Sequence, residues 1–262
     1  MGLTALLCAS ASLLAVCMLG LWLLSLALRN ASIVDIFWGL GFALVAVLGF
    51  FWSDSGAAPR SALIGGMVVV WGLRLSGYLL WRNAGHGEDA RYAAMRRDWG
   101  ARFGWVSLAT VFALQGVILW IVSLPVQIVQ GAPGGPLGVL DGIGVAIWLL
   151  GLGFESVGDA QLARFKADPR NAGKVMDRGL WRTTRHPNYF GDFCVWWGVF
   201  VVALSAPYGV FTLGSPVLMS FLLLRVSGVP LLERSLRERR PDYAAYAQRT
   251  SAFFPRPPRS RT

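Results

Sequence analysis

Ionisable side chains within or at the ends of long apolar runs include Asp35, Arg74, Glu155, Asp159, Asp192 and Arg225. Such groups are expensive in hydrocarbon, and those that occur usually face a cavity or a partner. Glu155 and Asp159 are four residues apart and so share one helix face. Asn188 and Asp192 repeat that spacing. Two acceptor-rich faces of this kind can line a polar cavity and receive the hydroxyls or the amide of a nucleotide. They can equally hydrogen-bond to each other and serve only to fix helix packing. Asp35 ends the run Ser32-Ile33-Val34-Asp35. It either closes a capping box with Ser32 or presents an acid to a pocket. Arg74 lies inside Val70-Trp71-Gly72-Leu73-Arg74-Leu75. It either snorkels toward the end of its span or meets a ligand.

The segment Arg182-Thr183-Thr184-Arg185-His186-Pro187-Asn188-Tyr189 reads as a helix start, with proline at the first helical position. Amide groups exposed there, together with the helix dipole, attract anions. Arg182 and Arg185 stand beside them, and guanidinium grips phosphate in bidentate fashion. The protein's two lysines, Lys166 and Lys174, fall in the same basic stretch. A loop that binds lipid headgroups has the same composition. Further on, Pro241 is placed to start a short amphipathic helix with Tyr243 and Tyr246 on one face. That pattern also suits an interfacial helix with an aromatic belt. No metal site is expected, because the two histidines, His86 and His186, and the three cysteines form no cluster.

These groups need elements to carry them. Of 262 residues, 55% are apolar and only 15% charged, against about 25% charged in soluble domains. Apolar runs long enough to cross a bilayer as helices occupy roughly 3–28, 31–52, 61–81, 104–129, 137–163, 190–204 and 208–226. The first has no basic residue ahead of it and is too long for a signal peptide. Twenty of the 24 lysines and arginines fall in three segments, 82–103, 164–189 and the tail from 227. With seven spans all three lie on one side, which the positive-inside rule makes cytoplasmic. The net charge of +10 thus reports topology rather than nucleic-acid binding. The expectation is an all-α membrane bundle of seven transmembrane helices, N-terminus out and C-terminus in. It forms one domain over 1–262 with a basic cytoplasmic tail at 227–262, in a bacterial inner membrane.

Several motifs resemble the bacterial family named for its domain of unknown function 1295, which is related to the steroid 5α-reductases. They are Asn30-Ala31-Ser32-Ile33-Val34-Asp35-Ile36-Phe37-Trp38-Gly39, Trp71-Gly72-Leu73-Arg74-Leu75, Asp89-Ala90-Arg91-Tyr92, the stretch Gly179–Gly191, and the tail around Tyr243 and Phe253. The Arg-His-Pro-x-Tyr piece is shared with isoprenylcysteine carboxyl and phospholipid methyltransferases. The reductases hold NADPH at the cytoplasmic side of seven helices and reduce a carbon–carbon double bond conjugated to a ketone. The resemblance implies cofactor contacts at Arg74, Arg82, Glu155, Asp159, Phe165, Lys166, Lys174, Arg185, His186, Asn188, Asp192, Glu233, Tyr243 and Tyr246. Glu233 stands where the reductases have a histidine. In the catalytic positions Asp35 falls near the reductases' glutamate and Trp71 near their tyrosine, although an indole supplies no phenolic proton.

The function so implied is NADPH-dependent hydride transfer to a lipophilic, steroid- or isoprenoid-like enone drawn from membrane lipid. Asp35 would hydrogen-bond to the carbonyl or protonate the enolate. An S-adenosylmethionine-dependent methyltransferase is the alternative. Seven basic residues in 164–189 suit the phosphates of NADPH better than a sulfonium cation. A third possibility is a non-catalytic protein that binds anionic lipid through its basic loops.

Overall fold

In hydrocarbon every backbone amide and carbonyl must be satisfied within the chain, so long apolar runs have to coil. The computed structural model, which describes residues 2–52, 58–226, 229, 233, 236, 240 and 242–257, is helical. Among these residues there is no strand, only an isolated parallel bridge between Thr184 and Ser251. The helices are α1 (Leu3–Leu28), α2 (Ile33–Trp52), α3 (Pro59–Asn83), α4 (Ala90–Trp99), α5 (Phe103–Ser107), α6 (Leu114–Val122), α7 (Leu124–Gly131), α8 (Val139–Ala167), α9 (Pro187–Ala203), α10 (Gly214–Phe221) and α11 (Tyr243–Arg249). A π-helical turn at Leu108–Ala113 joins α5 to α6. Pro241, expected to start the last helix, lies outside the described residues, as do Arg234, Arg237, Arg239, Arg259 and Arg261 of the basic tail.

Six helical runs among the described residues are long and apolar enough to cross a membrane: Leu3–Leu28, Ile33–Trp52, Pro59–Asn83, Ala90–Val122, Val139–Ala167 and Gly209–Val226. The protein is an integral membrane protein. The expected span at 190–204 is present as α9, but its 17 residues reach only about 25 Å at 1.5 Å per residue, short of ~30 Å of hydrocarbon. The expected span at 104–129 is displaced toward the N-terminus. It begins at Ala90, where the Asp89 side chain caps the helix by accepting from the Arg91 amide at 2.9 Å. It stops at Val122 because Pro125 has no amide to offer the carbonyl of Ile121. The Ser215 hydroxyl donates to that carbonyl instead, at 2.8 Å.

The chain divides into two compact units, residues 1–141 with 202–215, and residues 142–201 with 216–262. In the first, α2 and α3 meet backbone to backbone. A Cβ on Gly39 would collide with the Gly72 carbonyl, and one on Gly72 with the Gly39 carbonyl. Small residues permit this approach in membranes, where there is no hydrophobic force between helices. Ser76 pins the crossing, donating to the Ile36 carbonyl at 2.7 Å and accepting from the Leu40 amide at 2.9 Å. Polar side chains attach the neighbours: the Trp22 indole donates to the Gly104 carbonyl, Ser10 donates to Gln127 Oε1, and the Gln130 amide donates to the Ala46 carbonyl. Arg60 and the buried Asp141 form a two-armed pair at 2.9 and 3.0 Å.

In the second unit α8 and α9 run antiparallel along a seam of glycines seven residues apart. Gly144 lies against Gly198, Gly151 against Gly191, and Gly158 against Pro187 and the Asn188 amide. A Cβ at Gly151 would sit 2.5 Å from the Gly191 carbonyl oxygen, and one at Gly191 would sit 2.6 Å from the Glu155 amide nitrogen. The seam carries α9 close to the acidic face of α8.

Candidate functional site

The first unit gathers a polar cluster around Asp35. This residue lies in the first turn of α2, where the turn Asn30–Ser32 ends and helical bonding begins. Ser32 does not form a capping box with it. Its hydroxyl accepts from the Asp89 amide at 2.7 Å, which ties the loop before α4 to the start of α2. The Asp35 carboxylate accepts from two residues of α4: Tyr92 donates its hydroxyl to Oδ1 at 2.7 Å, and Arg91 donates to Oδ2 at 2.7 Å. Arg91 also pairs with Asp89 at 2.9 Å. The Gln115 amide donates to the Tyr92 oxygen at 3.1 Å, and the Trp38 indole donates to Gln115 Oε1. Beside them Glu88 accepts from the Ala31 amide and from Arg96. Burial works to raise the Glu88 pKa, but these hydrogen bonds outweigh it and the net displacement is downward.

Trp71 is fully buried and packs edge-to-face on Phe42, which meets Trp38 in the same way. Arg74 and Arg82 flank one ring, their guanidinium carbons 5.5 and 5.9 Å from the centre of Tyr78. These are cation–π distances, and Tyr78 sits one turn from each along α3.

The second unit holds the remaining expected residues. Glu155 and Asp159 are buried on the α8 face that meets α9. Asn188 donates to Asp159 Oδ1 at 3.3 Å, so part of the acceptor face is used between helices. Asp192 is half-buried one turn further along α9. The turn that starts α9 is bound to the C-terminal segment. Arg185 donates to Glu233 at 2.8 Å and to the carbonyls of Ala247 and Thr250 at the end of α11, at 2.7 and 3.2 Å. His186, wholly buried, places Nε2 3.1 Å from the same Glu233 oxygen and stacks on Tyr189. Burial acts to raise the Glu233 pKa, but His186 and the Arg185 charge prevail and hold it below the usual carboxylate range. The Thr184 hydroxyl donates to the Phe253 carbonyl at 2.6 Å. Phe253 and Phe254 close onto Phe190 and Phe193.

Between the end of α8, the loop that follows and α11 lies a polar cavity of about 280 Å³. Phe165, Asn171, Lys174, Arg178, Tyr246 and Arg249 line it, with Asp177 and Asp242. Arg249 is paired with Asp177 at 2.5 Å. The Tyr246 hydroxyl donates to the Trp181 carbonyl at 2.5 Å, and burial, then Tyr243, push its pKa up. Tyr243 is buried against Tyr246, and Lys166 is exposed at the end of α8.

Of the expected contacts, Phe165, Lys174 and Tyr246 therefore share one cavity. Arg185, His186 and Glu233 share a network, and Asp159 and Asn188 share a bond. Sequence reasoning singled out no role for Tyr92, Gln115 or Trp38. Tyr92 closes a motif quoted above. Gln115 is an uncharged amide inside an apolar span, and its polarity there is the signal that marks it.

The sequence matches the family described as "Protein of unknown function (DUF1295)" over residues 21–250. It is 23% identical to the uncharacterized protein C594.04c of Schizosaccharomyces pombe, across 90% of this chain and 76% of that one. No solved structure matches. All the site residues above, from Asp35 to Arg249, lie inside the matched range except Phe253 and Phe254. The chain belongs to the DUF1295 family, a family related to the steroid 5α-reductases.

Proposed function

We propose that this protein is a membrane reductase that uses NADPH to reduce the carbon–carbon double bond of a lipophilic enone, with its nucleotide-binding end in the cytoplasm. The observation that carries this reading is the hydrogen-bonded pair of Asp35 and Tyr92 at the start of an apolar span. A phenol aimed at a carbonyl oxygen polarises it and stabilises the negative charge that develops there during reduction. Arg91, bonded to the other oxygen of Asp35, keeps the carboxylate paired while the Tyr92 proton turns to a substrate oxygen. Tyr92, not Trp71, supplies the phenol in this scheme.

The second unit offers the chemistry a dinucleotide requires. Lys174, Arg178 and Arg249 around the polar cavity suit phosphate oxygens, and the Glu155, Asp159 and Asp192 carboxylates suit ribose hydroxyls or a carboxamide. NADPH, when bound, supplies the hydride. The residues of the chain hold it, orient it and keep water away.

Calorimetry on detergent-purified protein with NADPH, NADH and S-adenosylmethionine tests the proposal. NADPH should bind at micromolar concentration or tighter, and the methyl donor should not bind. Lys174→Ala should weaken NADPH by roughly ten-fold or more, since a hydrogen bond to a charged group is worth about 1.5–3 kcal/mol and 1.4 kcal/mol is one decade. Saturable binding of S-adenosylmethionine alone would replace the reductase with a methyltransferase.

A further inference from the structure

The hydrogen bonds around Asp35 form a chain with one possible direction. An indole N–H can only donate, so the Gln115 atom facing Trp38 must be Oε1. The other end of that amide then presents N–H to the Tyr92 oxygen, at 3.1 Å. A phenol oxygen that accepts there has its own hydrogen free to point only away from Gln115, and Asp35 Oδ1 receives it at 2.7 Å. Asp35 is left purely as an acceptor, from Tyr92 on one oxygen and Arg91 on the other. Four residues from three separate stretches of the chain are thus ordered by the one member whose polarity cannot change.

The helix that bears Gln115 is built to aim it. The π-turn Leu108–Ala113 ends one residue before α6, and Gln115 is the second residue of α6. In an α-helix each residue turns about 100°, at 3.6 residues per turn. An extra residue within a turn therefore re-aims every side chain that follows. Such turns recur at functional positions, and Gln115 is the first polar side chain after this one.

We infer that Gln115, oriented by Trp38, is a positioning residue that sets the direction of the Tyr92 O–H. Trp38 locks the amide, the amide closes the rear of the phenol, and the phenol hydrogen stays on the side where a substrate oxygen would compete with Asp35. This rests on the role proposed for the Asp35–Tyr92 pair. The hydrogen bonding itself can be read without cofactor or substrate, so failure of the positioning and failure of the reductase reading are separable.

The test is fluorine NMR of the full chain in detergent, with 3-fluorotyrosine at all six tyrosines and the Tyr92 line assigned by Tyr92→Phe. Gln115→Glu keeps the shape and still accepts from Trp38, but its carboxylate cannot donate to the phenol. It should move the Tyr92 line by more than its width and leave the other five in place. Gln115→Leu should do the same. Trp38→Phe, which frees the amide to flip, should split or broaden that line alone. If the Leu variant disturbs all six lines, the Glu variant decides. An unmoved Tyr92 line in Gln115→Glu overturns the inference, whatever the outcome with NADPH.

Discussion

Glu233 shows how one residue can change roles between sequence and fold. The family resemblance sets it in a cofactor-binding position, and in the structure it accepts from both Arg185 and His186. Arg185, expected to attract phosphate, already makes bonds to Glu233 and to two carbonyls at the end of α11. The folded-state pKa of Glu233 is lowered. Its contribution to stability is therefore fully present above the unfolded glutamate value of about 4.3, and is lost as pH falls through the folded value. Glu233→Gln should be less stable at pH 7 by roughly 1.5–3 kcal/mol, the worth of a hydrogen bond to a charged group. Its stability should also decline less steeply than the wild type's below about pH 4.3. Unfolding midpoints in detergent across pH 3–7 check both, and equal slopes would remove Glu233 from the acid response.

At the scale of elements, glycine sets how closely helices approach. Gly191→Ala would place a methyl group 2.6 Å from the Glu155 amide nitrogen and from the Gly151 carbonyl oxygen. Backbone atoms of a packed helix cannot step aside, so a cost of about 1–3 kcal/mol is expected. Gly153 is on α8 as well, but a Cβ there meets nothing within 4 Å. Gly153→Ala should be neutral or stabilising by up to roughly 1 kcal/mol through helix propensity. Thermal midpoints of the two variants make the comparison, and equal losses would show that the seam does not set the spacing. The seven-residue recurrence of Gly144, Gly151 and Gly158, and of Gly191 and Gly198, was legible in the sequence. What it lacked was the partner, because antiparallel register depends on three-dimensional contact.

For the molecule as a whole, hydropathy carried most of the fold. Five expected spans coincide with long helices to within a few residues at most ends, because a bilayer allows an apolar run almost no other conformation. The exceptions are local. The run starting at Ala90 was misplaced because Arg91, Arg96 and Arg97 make α4 look like a loop to a hydropathy average. Asp35, Asp159 and Lys174 stand out in the sequence by their charge. Trp38, Tyr92 and Gln115 do not, because what sets them apart is whom they touch. Topology rests on α9: if it crosses, the three basic segments share one side. A reporter active only in the cytoplasm, fused after Thr262, should be active. An inactive fusion at normal expression would place that end outside.

The glycine seam between α8 and α9 has one more consequence, for how a ligand could be accommodated. Two helices that interlock at three points, spaced seven residues apart along α8, cannot slide past each other by a small amount. A slip of one residue would drive side chains into carbonyls, and the next matching register is about 10 Å away at 1.5 Å per residue. The pair behaves as a ratchet with a single tooth engaged, so Asn188 and Asp192 keep a constant distance from Glu155 and Asp159. Adjustment to a guest must come instead from the parts that surround this fixed ruler, the loop at 168–186 and the segment from Tyr243 to Phe254. Variants that alter ligand preference without loss of stability should therefore collect in those two stretches and spare the helices between them.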